Sequence, residues 1–261
     1  MKTVVSADGT EIAYDQTGEG PPVILVVGAF NDRETGAPLA KAMESRFTVL
    51  NYDRRGRGAS GDTQPYAVER EVEDLDALIR EVGGAARVFG YSSGGNLALE
   101  AAARGLSITQ LALYEAPFMV GDDDSRARPP KDMAGQLAKL VASGRRGDAV
   151  ELFQTQMVGI PEPVVVQMRY APFRPALEAT AHTLVYEATI VGDLTLPTAK
   201  LNSIKTPTLV VYGGASPSFV SNAAKALAKA LPEGHIRALE GQSHDIVPEA
   251  LAPALLEFFG A

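Results

Sequence analysis

The segment Gly90-Tyr91-Ser92-Ser93-Gly94 places a serine between two glycines, where a short apolar stretch meets an alanine-rich one. A strand-to-helix turn with this spacing exposes a serine hydroxyl above a parallel sheet. The glycines leave room for the tight turn, and the first N–H groups of the helix point at negative charge that forms there. Ser92 is therefore a candidate nucleophile; the alternative is a glycine-rich turn with an inert serine.

A serine hydroxyl needs a base that takes its proton, and this base is nearly always a histidine. The chain has three histidines. His182 is predicted to be a surface or substrate-facing residue, His235 begins a predicted strand, and His244 lies in a loop after that strand.

Composition narrows the class of protein. The chain has 261 residues, of which 46% are hydrophobic, and this size suits one α/β domain with a full core. The net charge of −8 and the absence of a basic stripe argue against nucleic-acid binding. Cysteine is absent, which excludes disulfides and thiolate metal sites. We expect no metal, no cofactor, no membrane segment, a cytoplasmic location, and a monomer or homodimer.

Apolar runs and helical periodicity alternate along most of the chain. A hairpin is predicted first, and the alternation of strands and helices that follows predicts a doubly wound parallel sheet. The predicted strands are 3–6, 11–15, 23–27, 47–52, 86–91, 108–114, 206–212 and 235–239. The predicted helices are 38–45, 66–82, 133–143, 147–157, 176–191, 219–230 and 249–259, with a loop over 122–130.

A turn rich in arginine and glycine, Asp53–Ser60, follows the strand 47–52. Backbone and arginine groups in such a turn could hold a phosphate. The sequence favours a second interpretation, in which the arginines pair with nearby carboxylates, because no lysine-serine ending of a phosphate loop follows.

Several of these pieces together resemble the α/β-hydrolase superfamily: the strand before Gly28, the Asp53–Ser60 turn, the Gly90–Gly94 turn and Gln242-Ser243-His244. The resemblance implies an α/β-hydrolase fold, with a mostly parallel eight-stranded sheet flanked by helices. It places a helical lid after strand 6, so that residues 1–117 and 201–261 form the core and 118–200 the lid. It also implies that His244 is the base.

The third member of a catalytic triad departs from the usual pattern of the superfamily. The usual aspartate follows the strand that ends at Tyr212, but this chain has Gly213-Gly214-Ala215-Ser216-Pro217 there. We expect Glu115, which ends strand 108–114, to replace it, as in the zearalenone-hydrolase (lactonase) branch that the chain resembles locally. Two alternatives remain: Asp193 supplies the acid, or none does. If Glu115 has only a structural role, we expect it to pair with an arginine of the Asp53–Ser60 turn.

The resemblance also assigns the oxyanion hole to backbone N–H groups of Ala29 and Ser93. Apolar lid residues predict a hydrophobic small-molecule substrate. The expected function is a serine esterase or lactonase that forms an acyl-enzyme on Ser92. The alternatives are C–C bond hydrolysis, acyl transfer or cyclisation on the same fold, or a non-catalytic binding protein. The residues expected to contact the substrate are Phe30, Phe118, Phe153, Met157 and Tyr186.

Overall fold

The computed structural model of the chain describes residues 1–121 and 127–260. Within these ranges, eight strands form one sheet in the order β1-β2-β4-β3-β5-β6-β7-β8. The strands are β1 (Lys2–Val5), β2 (Glu11–Thr17), β3 (Pro22–Val26), β4 (Thr48–Tyr52), β5 (Ala86–Tyr91), β6 (Ile108–Tyr114), β7 (Thr208–Gly213) and β8 (Gly234–Leu239). The first two strands pair antiparallel and the other six run parallel, which confirms the predicted sheet.

Helices cover both faces of this sheet and also fill the segment between β6 and β7. The described α-helices are α1 (Arg33–Met43), α2 (Val68–Glu81), α3 (Ser93–Ala103), α4 (Met133–Ala142), α5 (Arg146–Leu152), α6 (Glu162–Met168), α7 (Arg174–Ala179), α8 (Thr183–Val191), α9 (Thr198–Leu201), α10 (Ser218–Ala230) and α11 (Pro248–Phe259). None of them is long and apolar enough to cross a bilayer.

Strand β3 shows why an apolar run without polar residues becomes a central strand. Successive side chains of a strand point to opposite faces of the sheet. Val23 and Leu25 therefore enter the core that the sheet shares with α1 and α11. Ile24 and Val26 enter the core on the other face, with α2, α3 and α10. Both faces of β3 are buried, as the sequence predicted.

The six helices α4–α9 lie between β6 and β7 and are called the cap helices below; three of them, α4, α5 and α8, contribute buried residues to a separate apolar core. Buried Leu137, Val150 and Leu184 belong to this core, and Ala29 and Phe30 of the loop after β3 pack against it. The cap helices therefore lie over the loop that leaves the carboxyl end of β3. Active sites of open parallel sheets form at this edge.

Three predicted helices differ from the structure. The helix expected at Pro38 begins at Arg33, because Asp32 caps it by accepting a hydrogen bond from the Glu34 N–H at 2.9 Å. The helix predicted over 147–157 changes at Phe153 into a π-helical turn that ends at Val158.

The helix predicted over 176–191 is interrupted between Ala179 and Thr183. There the hydroxyl groups of Thr180 and Thr183 donate to backbone carbonyls, and this competes with helix continuation. The loop predicted over 122–130 lies partly outside the described residues.

Candidate active site

Ser92 lies at a sharp turn between the end of β5 and the start of α3. Its backbone has φ 52° and ψ −130°, a strained conformation for a serine. A hydrogen bond from the Ser92 N–H to the Tyr114 carbonyl, 2.9 Å long, helps to hold it. Glycine is required on the helix side, because a Cβ atom on Gly94 would lie 2.2 Å from the Val26 carbonyl oxygen. The turn therefore lifts the Ser92 hydroxyl above the sheet edge.

Glu115 and His244 are in direct contact at the same edge. The Nδ1 atom of His244 lies 2.7 Å from the Glu115 Oε2 atom. The other carboxylate oxygen accepts hydrogen bonds from the Gly213 N–H at 2.8 Å and the Ser216 hydroxyl at 2.6 Å. Glu115 is only 4% exposed. Ser216 lies in the segment after β7 where the sequence lacks the usual aspartate, and its hydroxyl donates to Glu115.

The loop that carries His244 is also held by the residues that directly precede Glu115 and His244. The Tyr114 hydroxyl donates to the Ser243 carbonyl, one residue before His244. The Tyr91 ring lies 5.0 Å from the imidazole, measured between ring centroids. The main chain of this loop is therefore bonded to the end of β6, and the His244 side chain lies beside the end of β5.

Opposing effects set the charge of Glu115. Burial raises the pKa of this carboxyl, but hydrogen bonds from His244, Ser216 and Gly213 outweigh burial and hold the pKa below its usual range. An ionised carboxylate only accepts hydrogen bonds, so Nδ1 of His244 carries the proton. The Nε2 atom is then left as the acceptor for another group.

The Ser216 hydrogen bond gives a prediction about acid stability. Because the pKa of Glu115 is lowered by folding, its ionised form stabilises the protein above the ordinary glutamate value of 4.5, and this contribution is lost as the pH falls. Ser216→Ala should raise the pKa of Glu115 in the folded state and lower the free energy of unfolding by about 1–3 kcal/mol at pH 7. This loss of stability relative to wild type should become smaller towards pH 3.

Urea unfolding at pH 7 and pH 3 measures this difference. Ser221→Ala is the matched control, because the exposed Ser221 hydroxyl donates to the Ser218 carbonyl of α10 and is not bonded to Glu115. A Ser216→Ala deficit that is as large at pH 3 as at pH 7 would show that the serine does not act through the Glu115 charge.

The loop after β3 approaches the serine turn closely. The Ala29 N–H donates to the Ser93 hydroxyl at 3.0 Å, and both residues line the same pocket as Ser92. Residue 28 must be small, because a Cβ atom there would lie 2.9 Å from the Ser92 Cβ atom. As the first residue of α3, Ser93 has a backbone N–H without an intrahelical partner. The residues of the two predicted oxyanion donors therefore line the same pocket as Ser92.

A pocket of about 330 Å³ opens beside these residues. Phe118, Phe153 and Met157, three of the five predicted substrate contacts, line it, and α8 and α10 contribute walls that the sequence reasoning missed. The described lining residues are Ala29, Ser92, Ser93, Glu115, Ala116, Pro117, Phe118, Phe153, Met157, Val158, Val191, Leu194, Ser216, Pro217, Phe219, Val220, Ala223, Ser243 and His244. They include no lysine or arginine, and their one carboxylate is bound to His244.

Two predicted substrate contacts, Phe30 and Tyr186, are not among the described residues that line this pocket. Phe30 packs edge-on against Phe153, with ring centroids 5.6 Å apart, and so supports the wall from behind. Tyr186 stacks on Tyr66 at 3.8 Å and donates to the Asp62 carboxylate at 2.7 Å. Helical spacing alone could not tell which face of α8 meets the cleft.

Comparison with known proteins places this arrangement in a family. The model of the alpha/beta hydrolase family matches residues 23–254, which include the parallel strands β3–β8, apart from Pro22, and the serine turn. The chain belongs to the alpha/beta hydrolase family. Its structure superposes on an alpha/beta hydrolase from Sphaerobacter thermophilus with a TM-score of 0.92 and 54% identity, covering 99% of this chain and 100% of that one.

More distant relatives share the fold of this alpha/beta hydrolase. The enol-lactonase from Burkholderia xenovorans is 24% identical, with a TM-score of 0.72 over the full length of both chains. The human serine hydrolase BPHL is 34% identical over 130 residues, or 46% of this chain and 45% of that protein. The chain spans less than half the length of the curated relatives it matches.

The other candidate residues of this alpha/beta hydrolase have structural partners elsewhere. Asp193 is exposed and accepts a hydrogen bond from the Thr195 N–H at 3.0 Å within a turn. The His182 Nδ1 atom lies 3.0 Å from an Arg146 nitrogen, and His235 lies beside the Phe258 ring. None of these belongs to the described pocket lining. The acid that contacts His244 is Glu115.

The arginines of the Asp53–Ser60 turn form ion pairs with carboxylates, which confirms the interpretation that the sequence favoured over a phosphate site. Arg54 binds Glu71 through two hydrogen bonds of 2.7 and 2.9 Å, and Arg55 binds Asp74 through two of 2.8 and 2.7 Å. All four side chains are buried. Glu115 is paired with His244 and not with an arginine of this turn, so the alternative pairing that the sequence left open for Glu115 is wrong.

Proposed function

We propose that the protein is a serine hydrolase that cleaves hydrophobic esters or lactones through an acyl-enzyme on Ser92. One observation carries the proposal: a buried carboxylate, Glu115, binds the ring of His244 at 2.7 Å beside a strained serine in an apolar pocket. This combination supplies a nucleophile, a base and a group that orients the base.

In the proposed mechanism, the Ser92 hydroxyl attacks the substrate carbonyl while His244 Nε2 takes its proton. Glu115 keeps the proton on Nδ1 and stabilises the imidazolium that forms. The Ala29 N–H exchanges its hydrogen bond to the Ser93 hydroxyl for one to the tetrahedral oxyanion, to which the Ser93 N–H also donates. His244 then protonates the leaving alkoxide, and water, activated by the same imidazole, releases the acyl group.

The pocket favours neutral, apolar substrates. Thirteen of its nineteen described lining residues are phenylalanine, methionine, valine, leucine, alanine or proline, and the lining includes no lysine or arginine. A substrate carboxylate buried there would lose its hydration without gaining a counter-charge, which is costly. This supports a hydrophobic acyl chain or lactone ring as the bound group.

Active-site labelling tests the nucleophile. A fluorophosphonate probe should form one adduct, which mass spectrometry of the digested protein should locate on Ser92 and which Ser92→Ala should lose. Folded protein without an adduct on Ser92 would contradict the proposed function. An adduct without hydrolysis of any ester or lactone would instead favour C–C bond hydrolysis, acyl transfer or cyclisation.

Charge selectivity is a separate prediction. We expect kcat/KM for p-nitrophenyl butyrate to exceed that for the p-nitrophenyl monoester of succinic acid by at least about tenfold, because one uncompensated buried charge costs several kcal/mol. Initial rates at pH 7 measure both values. Equal values would show that the acyl group does not enter the apolar pocket.

A further inference from the structure

The peptide between Gly28 and Ala29 carries one of the two N–H groups that the proposed mechanism assigns to the oxyanion. This peptide is trans and planar, so the Gly28 carbonyl and the Ala29 N–H point in opposite directions. Whatever holds the Gly28 carbonyl therefore also aims the Ala29 N–H. On the pocket side, that N–H points at the Ser93 hydroxyl, 3.0 Å away.

Arg57 holds the Gly28 carbonyl. Its Nη1 atom donates to the carbonyl oxygen at 2.8 Å, and the side chain is buried. A cationic donor gives a strong, well-directed hydrogen bond. It also polarises the amide, and hydrogen bonds in a chain strengthen one another. The Ala29 N–H is therefore both oriented and made a better donor by a residue that is not part of the described pocket lining.

Arg57 is in turn held by a cap helix. Its Nη2 atom binds Oε1 of Glu187, a fully buried residue of α8. The same carboxylate oxygen accepts a hydrogen bond from Arg54 at 2.8 Å, and Arg54 also donates to the Val27 carbonyl at 3.1 Å. One carboxylate on α8 thus fixes two arginines that hold consecutive carbonyls of the loop after β3.

We propose that Arg57 is a positioning residue that aims the Ala29 N–H at the oxyanion, and that Glu187 ties this orientation to the docking of α8. The inference rests on the proposed serine hydrolase function. It adds a physical link between the cap helices and the oxyanion hole, because the Ala29 N–H is aligned when α8 packs against the arginine turn.

The variants separate this role from general stability. Arg57→Met removes the cationic donor to the Gly28 carbonyl, which keeps only the longer hydrogen bond of 3.3 Å from the Asn31 N–H, and leaves Glu187 paired with Arg54. Arg57→Lys keeps a charge, yet one ammonium on a flexible stem cannot reproduce the forked contacts to both groups. Arg55→Lys is the matched control: Arg55 is a buried arginine of the same turn, and it binds Asp74 through two hydrogen bonds instead of a carbonyl of the loop after β3.

Two readouts are needed, since a structural role alone could lower activity. The first is the hydrolysis of p-nitrophenyl butyrate. For Arg57→Met we expect kcat to fall by about 10–100-fold with KM within about twofold of wild type, somewhat less than the loss of a whole oxyanion donor. Arg57→Lys and Glu187→Gln should show smaller falls in the same parameter, and Arg55→Lys should match wild type.

The second readout is inhibition by 1,1,1-trifluoroheptan-2-one, which adds a serine hydroxyl to form a hemiketal oxyanion. Its inhibition constant should weaken for Arg57→Met by about the same factor as kcat/KM.

If folded Arg57→Met has the kcat of wild type, this inference is overturned while the proposed function stands. If Arg57→Met does not fold, the same result in Arg57→Lys has the same meaning. A fall in kcat with unchanged inhibition by the ketone would also overturn this inference. Wild-type kcat in Glu187→Gln would overturn the link to α8. A wild-type protein without a fluorophosphonate adduct on Ser92 would remove the proposed function and this inference with it.

Discussion

Glu115→Gln is expected to lower kcat by about 10³–10⁴-fold while the protein stays folded. The glutamine oxygen can still accept the hydrogen bonds from Gly213 and Ser216, so the loop geometry should survive. The amide nitrogen would then face Nδ1 of His244 and place the imidazole proton on Nε2. That tautomer cannot take the serine proton, and comparable changes in other triads cost about this much.

Steady-state hydrolysis of p-nitrophenyl butyrate, with circular dichroism of the same samples, measures the effect. Asp193→Asn is the control, because Asp193 is an exposed turn residue that accepts a hydrogen bond from Thr195. Its kcat should stay within about twofold of wild type, as for surface changes elsewhere. Near-normal turnover in Glu115→Gln, or a large loss in Asp193→Asn, would show that the acid has been assigned to the wrong residue.

Arg54→Met should be the most destabilising single substitution in the arginine turn. Arg54 is fully buried and binds two carboxylates, Glu71 and Glu187. Burial raises the pKa of Glu71, but the charge of Arg54 and its hydrogen bonds outweigh burial and hold that pKa below its usual range. Without the arginine, Glu71 becomes a buried charge with only the Tyr66 hydroxyl as a hydrogen-bond donor among the side chains described.

Removing one partner of a buried ion pair costs about 3–5 kcal/mol. This is a large part of the total stability of a domain, about 5–15 kcal/mol. We expect the melting temperature to fall by about 6–20 °C, and urea unfolding should show the same loss.

Arg104→Met is the matched control, because the Arg104 side chain is 40% exposed and its partner Glu100 is also paired with Lys200. Its free energy of unfolding should change by less than about 1 kcal/mol. Equal losses for Arg54→Met and Arg104→Met would show that the buried network does not stabilise the fold.

The sequence predicted the sheet well because its signals are local. Val23–Val27 is apolar on both faces, so it could only be a strand covered on both sides. Glycines on both sides of Ser92 permit contacts that a Cβ atom would block. Helix boundaries were less certain where a single side chain decides them: the cap at Asp32 and the threonine hydroxyls at Thr180 and Thr183 act through particular hydrogen bonds.

The two sides of α8 show where sequence reasoning ends. Tyr186 and Val191 are both apolar positions of one short helix, but Tyr186 packs on Tyr66 while Val191 lines the pocket. Glu187, between them, enters the buried arginine cluster. Periodicity gives the faces of a helix, but the neighbours that each face meets depend on how the helix docks.

By itself, the sequence indicated the type of fold and the candidate nucleophile, because strand periodicity and turn chemistry depend on adjacent residues. The resemblance to a family added His244 as the candidate base, but Glu115 was one of three possibilities for the acid. Only the tertiary structure decided that Glu115 reaches His244 at 2.7 Å and that Ser216 and Gly213 hold its second oxygen. These contacts join residues about a hundred or more positions apart, and their distances follow from the packing of β6 beside β7 and the path of the loop after β8.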